Sequence, residues 1–353
     1  MDKKLKIGII GVGGISVSHI EAYLKNPNVE LYAFCDINEA RLKYMGERYH
    51  ITRLYTDRHE MLALPELDAV SVCTWNNGHA PCTIDALNAG KHVLCEKPMC
   101  ISVADAEAMK AAAEKNGKLL MIGFVRRFGR DMKILRELYE QDYFGDLYYS
   151  KVQYVRRHGN PGGWFGDSSR SGGGPLIDLG VHVIDFVRYL KGKPKAVSVY
   201  GVTFQKLFDR KGIDRGAAYR STGATANDVC DVEDMATALI RFEDGSVLSV
   251  ETSFCLNVKS DTGKMEFCGT KAGAALNPDL ELYSTLDGYM SNVQLCSETA
   301  MDFGQIFGRE INHFVSCIKD GTPCISPAED GVEMMKILNA IYESAKTGHE
   351  VLL

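Results

Sequence analysis

The chain has 353 residues, 45% of them hydrophobic and 24% charged, with a formal net charge of -6. These values fit a globular protein of two domains and give no electrostatic reason to expect nucleic acid or an anionic membrane as a partner. No uninterrupted apolar run approaches the ~20 residues of a membrane-spanning helix.

Met1-Asp2-Lys3-Lys4 leads straight into an apolar segment, which reads as a chain without a secretory leader. The cysteines number 11, and none forms a Cys-x-x-Cys pair. Several, such as Cys35, Cys73 and Cys95, lie inside or at the ends of apolar strands. They read as reduced, mostly buried thiols of a cytoplasmic protein. His79/Cys82 and His92/Cys95 have ligand-like spacing but no second pair, so no metal site is expected.

Residues 1–123 alternate short apolar strands with helices. Strands are expected at Lys6–Ile10, Glu30–Cys35, Ala69–Cys73, His92–Cys95 and Leu119–Gly123. Helices are expected at Ile15–Lys25, Asn38–Tyr49, Ala80–Ala89 and Ser102–Asn116. Such alternation implies a parallel sheet covered on both faces, an α/β domain.

The loop after the first strand reads Gly11-Val12-Gly13-Gly14-Ile15-Ser16. Gly11 permits the tight turn, and Gly13 lets a pyrophosphate approach the backbone at a helix N-terminus. The motif follows a strand and opens a helix, the context that makes it informative. Asp36 ends the second strand ~20 residues on, where a carboxylate can accept hydrogen bonds from a ribose diol. It would repel a 2′-phosphate, so NAD is expected rather than NADP; the bland alternative is an acid at a helix start.

Thr74-Trp75-Asn76-Asn77-Gly78-His79 follows the next strand at the same sheet edge. Thr74, Asn76 and His79 contact a nicotinamide ribose, or the stretch is a capped loop with Asn77 or His79 starting the following helix. Glu96-Lys97-Pro98 lies beyond the His92–Cys95 strand, again at the edge where such folds bind ligands. Pro98 constrains the backbone there, so Lys97 has a defined position.

The second domain is taken as 124–353. Arg126-Arg127-Phe128 opens a helix to about Tyr139, and Leu147–Val155 reads as a long strand. The turn-rich stretch from Arg156 to Trp164 puts arginines beside a tryptophan, either against a polar substrate or as a solvated loop with one anchor. Gly172-Gly173-Gly174-Pro175 then precedes a nearly all-apolar helix, Leu176–Leu190. Asp178 and His182 share one face of it, and Gly180 between them implies close packing. They form either a satisfied core group with Asp185 or a catalytic base with its orienting carboxylate.

Strands follow at Ala196–Phe204, Asp234–Phe242, Ser246–Phe254 and Lys264–Cys268. They imply a large, mostly antiparallel open sheet, a surface suited to self-association. The segment 205–231, with Arg210, Arg215 and Arg220, reads as a functional or interface loop. Helices are expected at Ile306–Lys319 and Pro327–Thr347, and Ser326-Pro327-Ala328-Glu329 has capping-box spacing.

Together these residues resemble the glucose-fructose oxidoreductase / inositol dehydrogenase / rhizopine catabolism family (Gfo/Idh/MocA) over nearly the whole chain. The resemblance rests on Gly11-x-Gly13-Gly14-Ile15, Asp36, the Thr74-Asn76-His79 loop, Glu96-Lys97-Pro98, Gly123-Phe124 with Arg127-Phe128, and Asp178-x-Gly180-x-His182. It implies a Rossmann nucleotide-binding domain, then an α+β substrate-binding and oligomerisation domain. It implies NAD(P)-dependent hydride transfer with a secondary alcohol or ketone of a sugar, inositol or related polyol. Gly11, Gly13, Gly14, Ile15, Asp36, Thr74, Asn76, His79, Glu96 and Lys97 would bind the cofactor. Lys97, Asp178 and His182 would form the catalytic group, with Arg127 as a positioning residue for the substrate; Arg156 and Trp164 are placed toward the substrate by the composition of their own loop. Homodimers or homotetramers through the C-terminal sheet are implied as well. Two rival readings stand beside it: a retained, internally recycled NAD that serves elimination, epimerisation or glycoside cleavage with the same site residues, and a non-catalytic sugar- or nucleotide-sensing regulator, against which the presence of Lys97, Asp178 and His182 argues.

Overall fold

The computed structural model describes residues 3–207, 220–221, 224–225 and 228–353. The expected functional or interface loop at 205–231, with Arg210 and Arg215, thus lies largely outside the described residues. The chain forms two compact units. One comprises Met1–Val125 and Gly304–Met335, the other Arg126–Phe303 and Lys336–Leu353.

The first unit begins β1 (Leu5–Ile10), α1 (Ser16–Lys25), β2 (Val29–Cys35), α2 (Glu39–Tyr49), β3 (Leu54–Tyr55) and α3 (Arg58–Leu62). It continues β4 (Ala69–Val72), α4 (Asn76–Asn88), β5 (His92–Glu96), α5 (Val103–Asn116) and β6 (Leu120–Gly123). The strands pair in parallel in the order β3-β2-β1-β4-β5-β6. Every residue of β4 and β6 is buried, as a sheet covered on both faces requires. The order reverses at β1/β4, and the loops after β1, β2, β4 and β5 all leave the same edge.

Helix starts follow the local chemistry. Asn38, Asp57 and Ser102 each accept a backbone N–H at the head of α2, α3 and α5. Gly117, at φ +58°, ends α5 in the left-handed region. The helix expected from Ala80 instead begins at Asn76, so Asn76 and His79 lie in helix α4. The polar run Asn76-Asn77-Gly78 has loop composition, and local propensity did not extend the helix through it.

The second unit contains α6 (Arg130–Glu140), β7 (Leu147–Val155), α7 (Ser168–Ser171) and α8 (Val181–Leu190). It continues β8 (Ala196–Phe204), β9 (Met235–Phe242), β10 (Val247–Ser253), β11 (Thr262–Gly269), β12 (Gly273–Leu276), β13 (Leu280–Leu286) and β14 (Tyr289–Gln294). After α9 (Phe303–Lys319) and α10 (Ala328–Thr347), β15 (Val351–Leu352) completes the chain. The 9-stranded sheet runs β14-β13-β12-β11-β7-β10-β9-β8-β15. All its pairings are antiparallel except β7 with β10. Helix α8 packs on β7 and β10 and buries Val183, Ile184, Phe186, Val187 and Leu190. Of the side chains on the other face, Tyr200 and Leu239 are exposed and sit directly opposite each other on β8 and β9.

A contiguous second domain over 124–353 differs from this division, because Gly304–Met335 groups with the first unit. The physical ties are specific. Asn26 donates to Asn312 at 2.8 Å and Lys319 to Asn28 at 3.1 Å. Ser326 bridges to β6: its carbonyl accepts from Ile122 N–H at 2.9 Å and its hydroxyl donates to Ile122 O at 2.6 Å. The Ser326 hydroxyl, which the capping-box spacing assigns to a helix start, therefore anchors the returning chain to a strand.

Candidate functional site

The edge of the first unit's sheet carries a built dinucleotide cradle. Gly11 has φ +85°, and a Cβ there would lie 2.7 Å from Cys73 O, so only glycine fits. A Cβ at Gly13 would meet nothing within 4 Å, which leaves its backbone open to an approaching group. The first turn of α1 has neither a capping side chain nor an acidic residue. Its N–H groups and dipole therefore suit an anion. Ser16, in the third small position, donates to Gly13 O at 2.8 Å and braces the turn. Gly14 and half-exposed Ile15 complete it.

Asp36 lies at the carboxyl end of β2. Its Oδ2 accepts Val12 N–H and its Oδ1 accepts Asn38 N–H, each at 2.8 Å. These bonds orient the carboxylate at the rim and leave each oxygen a further lone pair for a diol. Arg41 had no signal in the sequence pattern. It donates to Val12 O at 2.8 Å and Gly13 O at 3.3 Å, pinning the loop from α2.

The loops after β4 and β5 are strutted together. His79 is buried, with Nδ1 2.7 Å from Pro98 O and Nε2 3.2 Å from Thr74 O. Burial lowers its pKa, against the opposing effect of those two carbonyls. A neutral ring donates to one carbonyl at a time. His79, expected to bind cofactor, is thus a strut between loops, because both ring nitrogens face backbone oxygens. Thr74 is half-buried and donates to Trp75 O at 3.1 Å, and Asn76 is buried in the first turn of α4.

Glu96, expected to contact the cofactor, is held by bonds within the protein. It is buried, and its Oε2 accepts the N–H of Lys97 at 3.1 Å while its Oε1 lies 2.8 Å from His19 Nε2. His19 in turn reaches Ser71 Oγ at 3.2 Å, and Tyr23 completes the chain at 2.8 Å. Burial opposes charge on Glu96, but the His19 bond and the His19 and Lys97 charges outweigh it and hold the carboxyl below its ordinary value. Glu310 on α9 is fully buried, and neither of its oxygens has a hydrogen-bond partner. Burial, reinforced by the Glu96 charge, pushes it well above the carboxylate range, so it is held neutral. Lys97 itself is half-buried on this foundation.

In the second unit, Asp178 and His182 are half-buried on a helix otherwise buried almost all round. Leu176–Gly180 is a π-helical turn running into α8, a widening often found at functional sites. Gly180 allows its close approach: a Cβ would lie 3.0 Å from Leu176 Cδ1 and 3.6 Å from Thr252 Cγ2 on β10. The turn is held by Glu233, which had no signal in the sequence. Glu233 accepts Gly174 N–H at 2.9 Å, Leu176 N–H at 3.1 Å and the Tyr342 hydroxyl at 2.9 Å.

Asp185 is not a partner in a core group with Asp178 and His182. It pairs with Arg127, whose Nε donates at 2.9 Å, both side chains being buried. Arg127 also stacks over Tyr189 at 4.8 Å. Its expected place toward substrate therefore gives way to a structural one. Arg156 is half-buried, donating to Gly159 O at 3.1 Å. Trp164 is half-buried and stacks on Phe165 at 4.0 Å.

A family model described as "Oxidoreductase family, NAD-binding Rossmann fold" matches residues 5–124. One described as "Oxidoreductase family, C-terminal alpha/beta domain" matches residues 136–353. D-Glucoside 3-dehydrogenase of Escherichia coli (strain K12) is 34% identical over 352 residues, 99% of this chain and 97% of that protein. Myo-inositol 2-dehydrogenase of Thermotoga maritima is 35% identical over 189 residues, 54% of this chain and 55% of that protein. Aldose-aldose oxidoreductase from Caulobacter crescentus, solved with glycerol, has a TM-score of 0.82 at 26% identity over 99% of this chain and 100% of that one. Levoglucosan dehydrogenase solved with NADH shares the fold, with a TM-score of 0.87 at 22% identity over 99% of each chain.

Proposed function

The chain belongs to the Gfo/Idh/MocA family of NAD-dependent sugar and polyol oxidoreductases, and on that footing we propose that it oxidises a secondary ring hydroxyl of a hexose glycoside. The observation that carries the substrate class is the likeness to E. coli D-glucoside 3-dehydrogenase along 99% of the chain. The open Gly13 backbone and the oriented Asp36 carboxylate fit a dinucleotide with a free 2′-hydroxyl. They therefore support NAD over NADP.

Bound nicotinamide supplies the hydride chemistry. His182 takes the hydroxyl proton as hydride leaves the same carbon, the task of an imidazole acting as general base. Asp178, one turn before it, accepts a substrate hydroxyl and orients the ring. Lys97 is a cation for developing alkoxide charge. Its backbone is fixed by Glu96, so the stem starts from one place. Arg156 and Trp164 are the side chains we assign to substrate selection.

The outward face of the large sheet supports self-association. Tyr200 and Leu239 are 48% and 50% exposed and directly paired, with Phe204 at 42% further along β8. We infer a homodimer or homotetramer through this face, in the cytoplasm. Light scattering that finds a monomer at micromolar concentration overturns that part.

The functional test is NADH formation from NAD with alkyl and aryl glucosides, free aldoses and inositols, and with NADP as alternative cofactor. Turnover is expected with a glucoside and NAD. A protein that binds NADH but turns over none of these substrates sinks the assignment.

A further inference from the structure

Three metal-ligating side chains converge in the first unit, away from the β1, β2, β4 and β5 loops. His313 and Cys317 lie on α9 one turn apart, hence on one face. Cys324 arrives from the segment after α9, which turns at Gly321 with φ +70°. One donor atom from each residue lies within 4.8 Å of the other two. His313 Nε2 is 3.4 Å from Cys317 Sγ. All three are partly exposed, and none of the described cysteines forms a disulfide.

We propose that His313, Cys317 and Cys324 bind one thiophilic divalent ion, zinc, as a three-ligand site with an open fourth position. The set has the right chemistry, since imidazole and thiolates favour zinc over harder ions. The dimensions agree as well. Tetrahedral bonds of about 2.1 Å to nitrogen and 2.3 Å to sulfur put the nitrogen about 3.6 Å from each sulfur and the sulfurs about 3.8 Å apart. The His313–Cys317 edge is already closed, and the remaining edges need to contract by about an ångström at most. Ile325 N–H donates to His313 Nε2 at 3.1 Å, so that nitrogen is unprotonated, and the ion would displace this N–H from its single lone pair.

The ion would act as a clip. Cys324 lies two residues before Ser326, whose carbonyl and hydroxyl are bonded to β6. Joining Cys324 to α9 closes that return segment on itself just before it meets the sheet. Ion binding to the folded form alone stabilises it by mass action. The reading is independent of the proposed redox activity.

The test uses the full chain, reduced and freed of metal, then titrated with Zn²⁺ by calorimetry and with Co²⁺ by absorbance. One ion per chain is expected, with a sulfur-to-cobalt charge-transfer band and the visible bands of tetrahedral cobalt. Cys317→Ser with Cys324→Ser is expected to abolish that band and weaken zinc binding by more than ~100-fold, above the loss typical of an outer-shell change. Cys296→Ser, at an exposed thiol outside the cluster, is expected to bind as the parent does. Zinc should also raise the parent's melting temperature in a concentration-dependent way. No uptake by the reduced protein, or uptake unchanged in the double variant, overturns the site. So does a Cys317–Cys324 disulfide in protein that takes up no metal after reduction. Should the double variant fail to fold, the parent's cobalt spectrum decides: bands without sulfur charge transfer overturn the proposal.

Discussion

The two units bury charge in opposite ways. In the second, Arg127 and Asp185 form a matched pair, and Glu233 is satisfied by two backbone N–H groups and a tyrosine hydroxyl. In the first, two carboxyls are buried within electrostatic reach of each other. Glu96 is satisfied and charged, and Glu310 is unsatisfied and neutral. A matched pair holds its geometry over a wide pH range. A shared cluster makes the foundation of the Lys97 loop depend on pH. The difference shows that the same device, a buried carboxylate, can serve rigidity in one region and a titratable support in another.

The sharpest break is chemical. His182→Ala should cut turnover by about 10²–10⁴-fold, the usual worth of a general base, and Lys97→Ala should also cost orders of magnitude. Melting temperatures close to the parent's would confine both losses to chemistry. Wild-type-like turnover in either variant would remove that residue from the mechanism.

Next comes the matched pair. Arg127→Ala leaves Asp185 buried and uncompensated and should cost about 3–5 kcal/mol, read by denaturant titration. In the fraction that remains folded, KM should be unchanged. A raised KM at unchanged stability would return Arg127 to the substrate.

At the cradle, Asp36→Ala removes a charged acceptor worth about 1.5–3 kcal/mol, so NAD affinity should drop at least tenfold. The preference for NAD over NADP should narrow, because the repulsion of a 2′-phosphate goes with the carboxylate. Calorimetric titration with both cofactors measures the two effects together.

The smallest effect is the most diagnostic of the shared cluster. Glu310 has a raised folded pKa, so its contribution is fully present below the unfolded carboxyl value of 4.5. It is lost as pH rises above that value, because the unfolded chain gives up its proton first. Glu96 is the reverse: its contribution is present above its unfolded value and lost as pH falls through its lowered folded value. Glu310→Gln keeps the shape without a titrating proton. It should flatten the decline in melting temperature as pH rises above 4.5 and leave the acid limb in place. An unchanged profile would mean that Glu310 is not held neutral.

Much of this protein was legible without coordinates because the decisive signals are local. The strand–glycine–helix turn, an acid ending β2 and a lysine beyond β5 are short-range patterns whose geometry follows from backbone sterics and sheet direction. Strand and helix alternation likewise required the parallel sheet. What stayed hidden depends on residues far apart in the chain. Glu233 holds the turn that bears Asp178 from 57 positions away, and Arg127 meets Asp185 across 58. His79 and Glu96 stand at the right edge of the sheet, but only the packed loops turn them inward as supports. Gly304–Met335 joins the first unit because hydrogen bonds and burial, not chain order, decide what packs together. Local propensity determines which elements form, whereas desolvation and hydrogen-bond satisfaction in the folded protein decide which polar groups face a ligand and which hold the scaffold.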